Sequence, residues 1–391
     1  MSLEKNIKLL KWHSFFTDFT LWAPLAIIYF SKISGSYTLG LSIFSITMIS
    51  SAIFELPTGF ISDKYGRVKT LIFGAAAFVV SGIFYAVGLN YFILVIGAVF
   101  EGLGRSFYSG NNHALLYDNL NEAKKIEDFS EHSGKISSMS QTALAISGFF
   151  GGFIAYFSFP LLMWLSVIPQ IICFVLGLNL VEVKLVSDES ENIFIHIKQA
   201  FKNFVSNFKL RLISFYDIID FGLGEASFQF RSAFIATLWP VWAIGISRVL
   251  SNIGAAFSFH FSGRVIKRFS NIKFLIFKSL SNKVIDIISV GFPSIFSPAL
   301  MSATSLTYGA GTVAKQKLLQ DQFTHDQRAT MGSLNSLFGS VFFAIFAVFL
   351  GLLADKFGPK NALLIEIILS FSTLFFLFKL KKVFSKEDDQ K

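Results

Sequence analysis

The chain has 391 residues, of which 53% are hydrophobic, 49 are Phe and only 15% are charged, and its mean hydropathy is +0.59. That composition excludes an ordinary soluble fold, because most intervals between charged clusters are apolar runs of about 20 residues, enough to cross hydrocarbon as a helix. The net charge of +9 does not indicate nucleic acid, since Lys and Arg stand in short clusters between apolar runs and not along one stripe.

The N-terminus, MSLEKNIKLLKWHSFF, is basic and then apolar like a signal peptide. No small-x-small cleavage site follows it, so the first span is expected to be retained. Length and charge punctuation predict twelve spans, beginning near Leu9, Tyr37, Lys69, Tyr91, Ser133, Pro160, Leu210, Val241, Lys273, Pro293, Arg328 and Asn361. Basic residues fall in alternate intervals: Lys5, Lys8 and Lys11, then Lys64, Arg67 and Lys69, then Lys124 and Lys125, then Lys198, Lys202 and Arg211. The series continues with Arg264, Lys267 and Arg268, with Lys315, Lys317 and Arg328, and with Lys381 and Lys382; the opposite intervals hold little beyond Lys32, Lys356 and Lys360. The positive-inside rule then places both termini in the cytoplasm, which requires an even number of spans.

An ionised side chain at the bilayer centre costs about 2.5–3.5 kcal/mol on insertion scales, so charges inside the spans are candidate working parts. Span one has Asp18, with Trp22 one turn on and Pro24 beyond, and span two has Glu55 in its cytoplasmic half. In span four, Glu101 and Arg105 stand four apart in the acid-first order that favours an ion pair, whether structural or part of a gate.

After span two comes ELPTGFISDKYGRVKTL, Glu55 to Leu71. It resembles the G-x-x-x-D-x-x-G-R-x-[RK] loop signature of the major facilitator superfamily, with Gly59, Asp63, Gly66, Arg67 and Lys69 in place. Glycines permit a tight turn and close helix approach, and an Asp beside a helix N-terminus gains from free amides and the macrodipole. The resemblance implies that Asp63 faces the cytoplasmic start of span eleven, near RATMGSLNS, and that Arg67 pairs with an acid at the end of span four, by position Asp118. Together these residues would form a conformational latch that breaks during alternating access.

The stretch GLGRSFYSGNNHALLYDNL at the end of span four resembles a bacterial permease subgroup carrying E-x-P-T-G in span two and F-x-S-G-x-x-x-A-x-x-Y-D-x-L here. It matches at Phe107, Ser109, Gly110, Ala114, Tyr117, Asp118 and Leu120, with His113 where the subgroup often has an acid. His113 and Asp118 also have the H-x4-D spacing of phospholipid acyltransferases. Helical residues five apart, however, point about 140° away from each other, and a dyad needs hydrogen-bond reach. The remaining histidines, His13, His132, His196, His260 and His325, are scattered, so neither an enzyme site nor a metal site is expected.

Span five has ALAISGFFGG, which keeps Gly151 and Gly152 of the family exporters' G-P-x-x-G-G but has Ser147 and Gly148 where its Gly-Pro pair would stand. The single cysteine, Cys173, lies within span six and offers no disulfide. The longest polar interval, Ser187 to Lys209, divides the chain, and its IFIHIKQAFKNFV has the apolar spacing of an amphipathic helix on the cytoplasmic face. The expected organisation is a six-helix bundle at 1–186, a connector at 187–209, and a second six-helix bundle with a short polar tail at 210–391. Such repeats flank a central substrate site near the midplane, which points to transport.

Span seven, ISFYDIIDFGLGEASFQFRS, concentrates Asp217, Asp220, Glu225 and Arg231 in one apolar helix, with Gly222 and Gly224 loosening its middle. Crowded carboxylates in a desolvated helix suit proton exchange, and Glu225 or Asp220 is the expected carrier unless it is paired with Arg231 or Arg105. Beyond span eight, SGRVIKRFSNIKFL keeps the basic residues of the loop signature without its Asp. Span nine places Lys278, Lys283 and Asp286 in a helix expected to face lipid, with Lys278 snorkelling to the cytoplasm and Lys283 pairing with Asp286. The segments RATMGSLNSLFGS and GLLADKFGPKNALL resemble the subgroup's span eleven and the turn after it.

The expectation is an all-α integral membrane protein with twelve transmembrane helices in two pseudo-symmetric bundles, acting as a secondary transporter in a bacterial cytoplasmic membrane. Proton-coupled export of a small amphipathic or cationic compound comes first, import of a small metabolite second, and lipid translocation is the reading from another class. Partners are a small-molecule substrate, protons with sodium left open as the coupling ion, and the bilayer. A monomer is expected, with no cofactor.

Overall fold

The structure, a computed structural model, describes residues 3–182, 204–323 and 328–388, apart from the side chains of Leu3, Leu56, Asp63, Ser130, 328–330 and 385–388. All regular structure among these residues is helical. Residues 183–203, which include most of the proposed connector at 187–209, lie outside the described residues. The chain divides into two compact units, Met1–Asp188 with Pro240–Val249, and Glu189–Trp239 with Leu250–Lys391.

In the first unit, α1 (Leu3–Asp18) stops short of a 3-10 turn at Ala23–Leu25, where Pro24 opens the turn, and resumes as α2 (Ala26–Ser34). Span one is therefore broken beside Asp18. Ser36 caps α3 (Tyr37–Tyr65) by accepting the Leu39 amide at 3.1 Å. Gly66, at φ 97°, turns the chain into α4 (Arg67–Val87), and Asn90 caps α5 (Tyr91–Tyr108). Gly110, at φ 74°, breaks span four before α6 (Asn111–Glu122). The unit continues with α7 (Phe129–Phe157) and α8 (Phe159–Leu178).

Glycines let these helices approach closely. A Cβ on Gly102 of α5 would strike Ser50 and the Thr47 carbonyl of α3, and one on Gly151 of α7 would strike the Leu21 carbonyl beside the break in span one. One core gathers Phe30, Ile43, Tyr85, Leu94 and Val167; a second, around Leu10, Leu71, Leu116 and Leu120, ties the ends of α1, α4 and α6 together.

The second unit contains α9 (Phe208–Ile235), most of α10 (Val241–Arg268) and α11 (Asn271–Gly291). Span ten is broken into α12 (Ser297–Ser302), a 3-10 turn at Ala303–Thr307 and α13 (Tyr308–Gln320). The helix α14 (Arg328–Ser370) turns at Gly358, with φ 79° and ψ 163°, followed by Pro359; it is two spans joined by a tight turn. Finally, α15 (Ser372–Asp388) completes the last span. Packing of α9 on α14 and of α11 on α13 and α15 encloses a core that includes Ile213, Tyr216, Leu275, Ala314 and Leu377.

The helices trace the twelve spans. Among the described residues six helical stretches, one of them running through spans eleven and twelve, are long and apolar enough to cross a membrane by length and composition alone; the other spans are interrupted or carry charge. Large apolar side chains such as Phe157, Ile345 and Ile368 stay exposed, while Glu101, Lys283 and Glu366 are buried, the arrangement expected where hydrocarbon is the solvent.

Candidate functional site

At the loop signature, Arg67 Nε lies 2.5 Å from Asp118 Oδ2, joining the start of α4 to α6. Asp118 is therefore engaged by Arg67, and His113 instead meets Ser133 at 3.3 Å, so the two residues form no dyad. Gly59 has open space where a Cβ would stand, and Lys69 and Glu55 are exposed; the side chain of Asp63 lies outside the described residues.

A further residue completes this corner. Glu182, just past α8, accepts the amides of Arg67 and Val68 at 3.0 and 2.9 Å. Its carboxylate fills the free N-terminus of α4 and sits where a Cβ on Gly66 would collide. Sequence reasoning missed Glu182 because its partner lies more than a hundred residues away.

Within the first unit, Arg105 reaches Glu101 Oε1 through Nε at 3.0 Å and Nη2 at 2.8 Å. Tyr85 donates to Glu101 Oε2 at 2.8 Å and Thr47 donates to it at 3.4 Å, so Glu101 is buried with its oxygens satisfied. Asp18 ends α1 with the Ser140 hydroxyl at its carboxylate and Arg105 near. Beside it a polar file runs along α1. Ser14 accepts from Tyr108 and Asn112 at 3.1 and 2.8 Å, Thr17 meets Cys173 at 3.2 Å, and His13, 1% exposed, stacks on Tyr108.

The second unit carries the denser set. Asp217 Oδ1 lies 2.6 Å from Lys315 Nζ and its other oxygen accepts from Asn335. Asp220 Oδ2 meets Lys278 at 3.4 Å and Lys315 at 3.5 Å. Arg231 donates through Nη2 to both Asp286 oxygens and through Nη1 to Thr304 at 3.1 Å. Glu225 accepts from Gln229 at 2.7 Å and has no cation within the 4.0 Å of a salt bridge among the described residues.

These contacts correct three expectations. Lys283 does not pair with Asp286, which belongs to Arg231; its ammonium, on a residue only 8% exposed, meets Ser279 at 2.8 Å and Thr373 at 3.3 Å. Lys278 does not snorkel outward but turns inward to Asp220, because an inner carboxylate offers a desolvated lysine more than the rim does. Lys315 is no plain loop charge, since its ammonium is held between two aspartates. Sequence reading also passed over Glu366, an acid alone in the apolar run ALLIEIILS, and that isolation was itself a signal. Among the described residues no group of three His, Cys, Asp or Glu side chains could hold a metal.

Helices with exposed apolar side chains and charged side chains paired within each unit define a multi-pass membrane protein. Residues 12–281 match the Major Facilitator Superfamily, and the chain belongs to that family. An uncharacterized transporter of Buchnera aphidicola subsp. Acyrthosiphon pisum is 28% identical over 173 residues, 44% of this chain and 43% of that protein. A second, from Buchnera aphidicola subsp. Schizaphis graminum, is 32% identical over 92 residues, 24% of this chain and 22% of its own. The chain thus spans less than half the length of the curated relatives it matches. Among solved structures it is similar to the nucleoside transporter NupG, with a TM-score of 0.82 at 13% identity, covering 97% of this chain and all (100%) of that one. It is also similar to a D-xylose-proton symporter, with a TM-score of 0.70 at 13% identity and 96% of each chain covered. At such identities the likeness establishes the fold.

Proposed function

We propose that the protein is a proton-coupled secondary transporter that works by alternating access and exports a small amphipathic or cationic compound across a bacterial cytoplasmic membrane, with both termini inside. It is organised as bundles at 1–186 and 210–391 joined by the connector. The observation that supports this reading is the state of Glu225. Of the three span-seven acids, Asp217 and Asp220 are occupied by lysines, while Glu225 is met by a neutral Gln229 and by no cation among the described residues. A carboxylate without a fixed cation is free to exchange a proton for a positively charged substrate. The Arg67–Asp118 pair, with Gly59, Asp63, Gly66 and Lys69 around it, acts as the latch that opens and closes in the cycle.

The test is uptake of a fluorescent lipophilic cation into everted membrane vesicles under an imposed proton gradient. Gradient-driven uptake that a protonophore and Glu225→Gln both abolish is expected. Full gradient-driven transport by Glu225→Gln would remove Glu225 from the coupling role, and uptake equal to that of empty vesicles would remove the cationic substrate. A second reading, import of a small metabolite, is favoured by Lys278 and Lys315, whose ammonium groups could receive a polar or anionic solute in place of the aspartates.

A further inference from the structure

The cluster formed by spans seven, nine and twelve inside the second unit is absorbed by neither the latch nor Glu225. Glu366, in the segment of α14 beyond Gly358, is 6% exposed and has no Lys, Arg or His within the 4.0 Å of a salt bridge among the described residues. From α9 it is faced by the Ser227 hydroxyl and by Arg231, and from α11 by Asp286 and Lys283. The guanidinium of Arg231 is committed to Asp286, with two contacts at 2.9 and 3.1 Å. Lys283 is committed to Ser279 and Thr373 and sits 5.7 Å over the Phe371 ring. Neither cation contacts Glu366: Arg231 keeps Nη1 on Thr304 and Nη2 on Asp286, and Lys283 stays on its two hydroxyls, while Asp286 adds a second carboxylate nearby. An ionised Glu366 would be desolvated without a contact ion pair, and a bound proton removes that penalty while leaving the Ser227 hydrogen bond in place.

We propose that Glu366 is a proton-exchanging carboxyl in the interior of the second unit, with Arg231 and Asp286 as its positioning pair. A proton from water forms the O–H bond on a Glu366 oxygen and returns to water when that bond breaks; no other group is oxidised or reduced. The site goes beyond the reading above, which assigns exchange to Glu225, and shares with it only the premise of proton coupling. It also gives the charges of span nine a purpose: Asp286 and Lys283 set the field at Glu366 and are not stray charges in a peripheral helix.

The experiment is infrared difference spectroscopy of the purified full-length protein in lipid, recorded between acid and alkaline pH, following the carbonyl stretch of protonated carboxylic acid. The wild type should show such a band at neutral pH. Glu366→Gln should remove it, Glu366→Asp should retain it at a shifted frequency, and Ser227→Ala should shift it without removing it. Glu225→Gln should leave it in place. The proposal is overturned by a wild type without the band, by a band of unchanged intensity in Glu366→Gln, or, should that variant not fold, by a band that does not move in Ser227→Ala. Retention of pH-driven transport by Glu225→Gln would overturn the reading of the previous subsection and leave this one standing.

Discussion

Arg231 on α9 holds Asp286 on α11 with its Nη2 2.9 and 3.1 Å from the two carboxylate oxygens, and the same guanidinium reaches Thr304 in the broken part of span ten. One side chain thereby ties spans seven, nine and ten together in the second unit. Both members are largely shielded, with side-chain exposures of 20% and 16%. Removing either partner alone leaves a desolvated charge and is expected to cost about 3–5 kcal/mol. Replacing both with apolar residues, as in Arg231→Met with Asp286→Leu, should cost clearly less than the two single changes added. Thermal unfolding of the purified variants in one detergent checks this; additive losses would mean that the pair is not coupled.

Lys315 bridges Asp217 and Asp220, whereas Lys278 pairs with Asp220 and with no other acid among the described residues. Lys315→Met strips Asp217 of its sole cation within the 4.0 Å limit among the described residues, and is expected to destabilise the fold by about 1–3 kcal/mol more than Lys278→Met. The same unfolding assay ranks the two. An equal loss would show that the aspartates are satisfied elsewhere.

At the loop-signature corner of the first unit, Glu182 occupies the N-terminus of α4. Glu182→Ala should free the amides of Arg67 and Val68, weakening the helix start by about 0.5–2 kcal/mol. Hydrogen exchange of the peptide covering that turn should speed up several-fold while that of α5 stays unchanged. Gly66→Ala should do the same by another route, because Gly66 has φ 97° and a Cβ there meets the Glu182 carboxylate.

The Arg67–Asp118 pair is about a quarter exposed on each side, so its contribution is modest. Asp118→Asn is expected to shift the conformational equilibrium by about fivefold, the equivalent of about 1 kcal/mol. Fluorescence resonance energy transfer between labels on the two halves reads that shift. The charge-reversed double variant, Arg67→Asp with Asp118→Arg, should recover part of it.

The spans themselves were legible in the sequence for a local reason. Helix starts at Tyr37, Tyr91, Val241 and Arg328 coincide with those expected from hydropathy, and the turn after span eleven falls at Gly358-Pro359 beside the expected start at Asn361. Caps such as Ser36 and Asn90 act within three residues, and an apolar run of sufficient length must be helical in hydrocarbon whatever surrounds it. The interruptions were harder to read. Pro24 and Gly110 are ordinary residues in transmembrane sequence, and neither residue type by itself says whether a helix continues, bends or stops there.

By itself, then, the sequence determined a helical membrane protein of this family, the number of its spans, and which side chains would be costly to bury. The tertiary structure decided what each buried charge holds. Asp286 sits three residues from Lys283, in easy reach along the helix, yet binds Arg231 fifty-five residues away. Lys315 looks like a loop charge and bridges two aspartates, and Glu366 has no contacting cation among the described residues, its basic neighbours binding other groups. Ion pairing in a low-dielectric interior goes to the partner with the best geometry and the fewest competing hydrogen bonds, and that depends on which helix faces meet, a relation between distant segments that no local pattern contains.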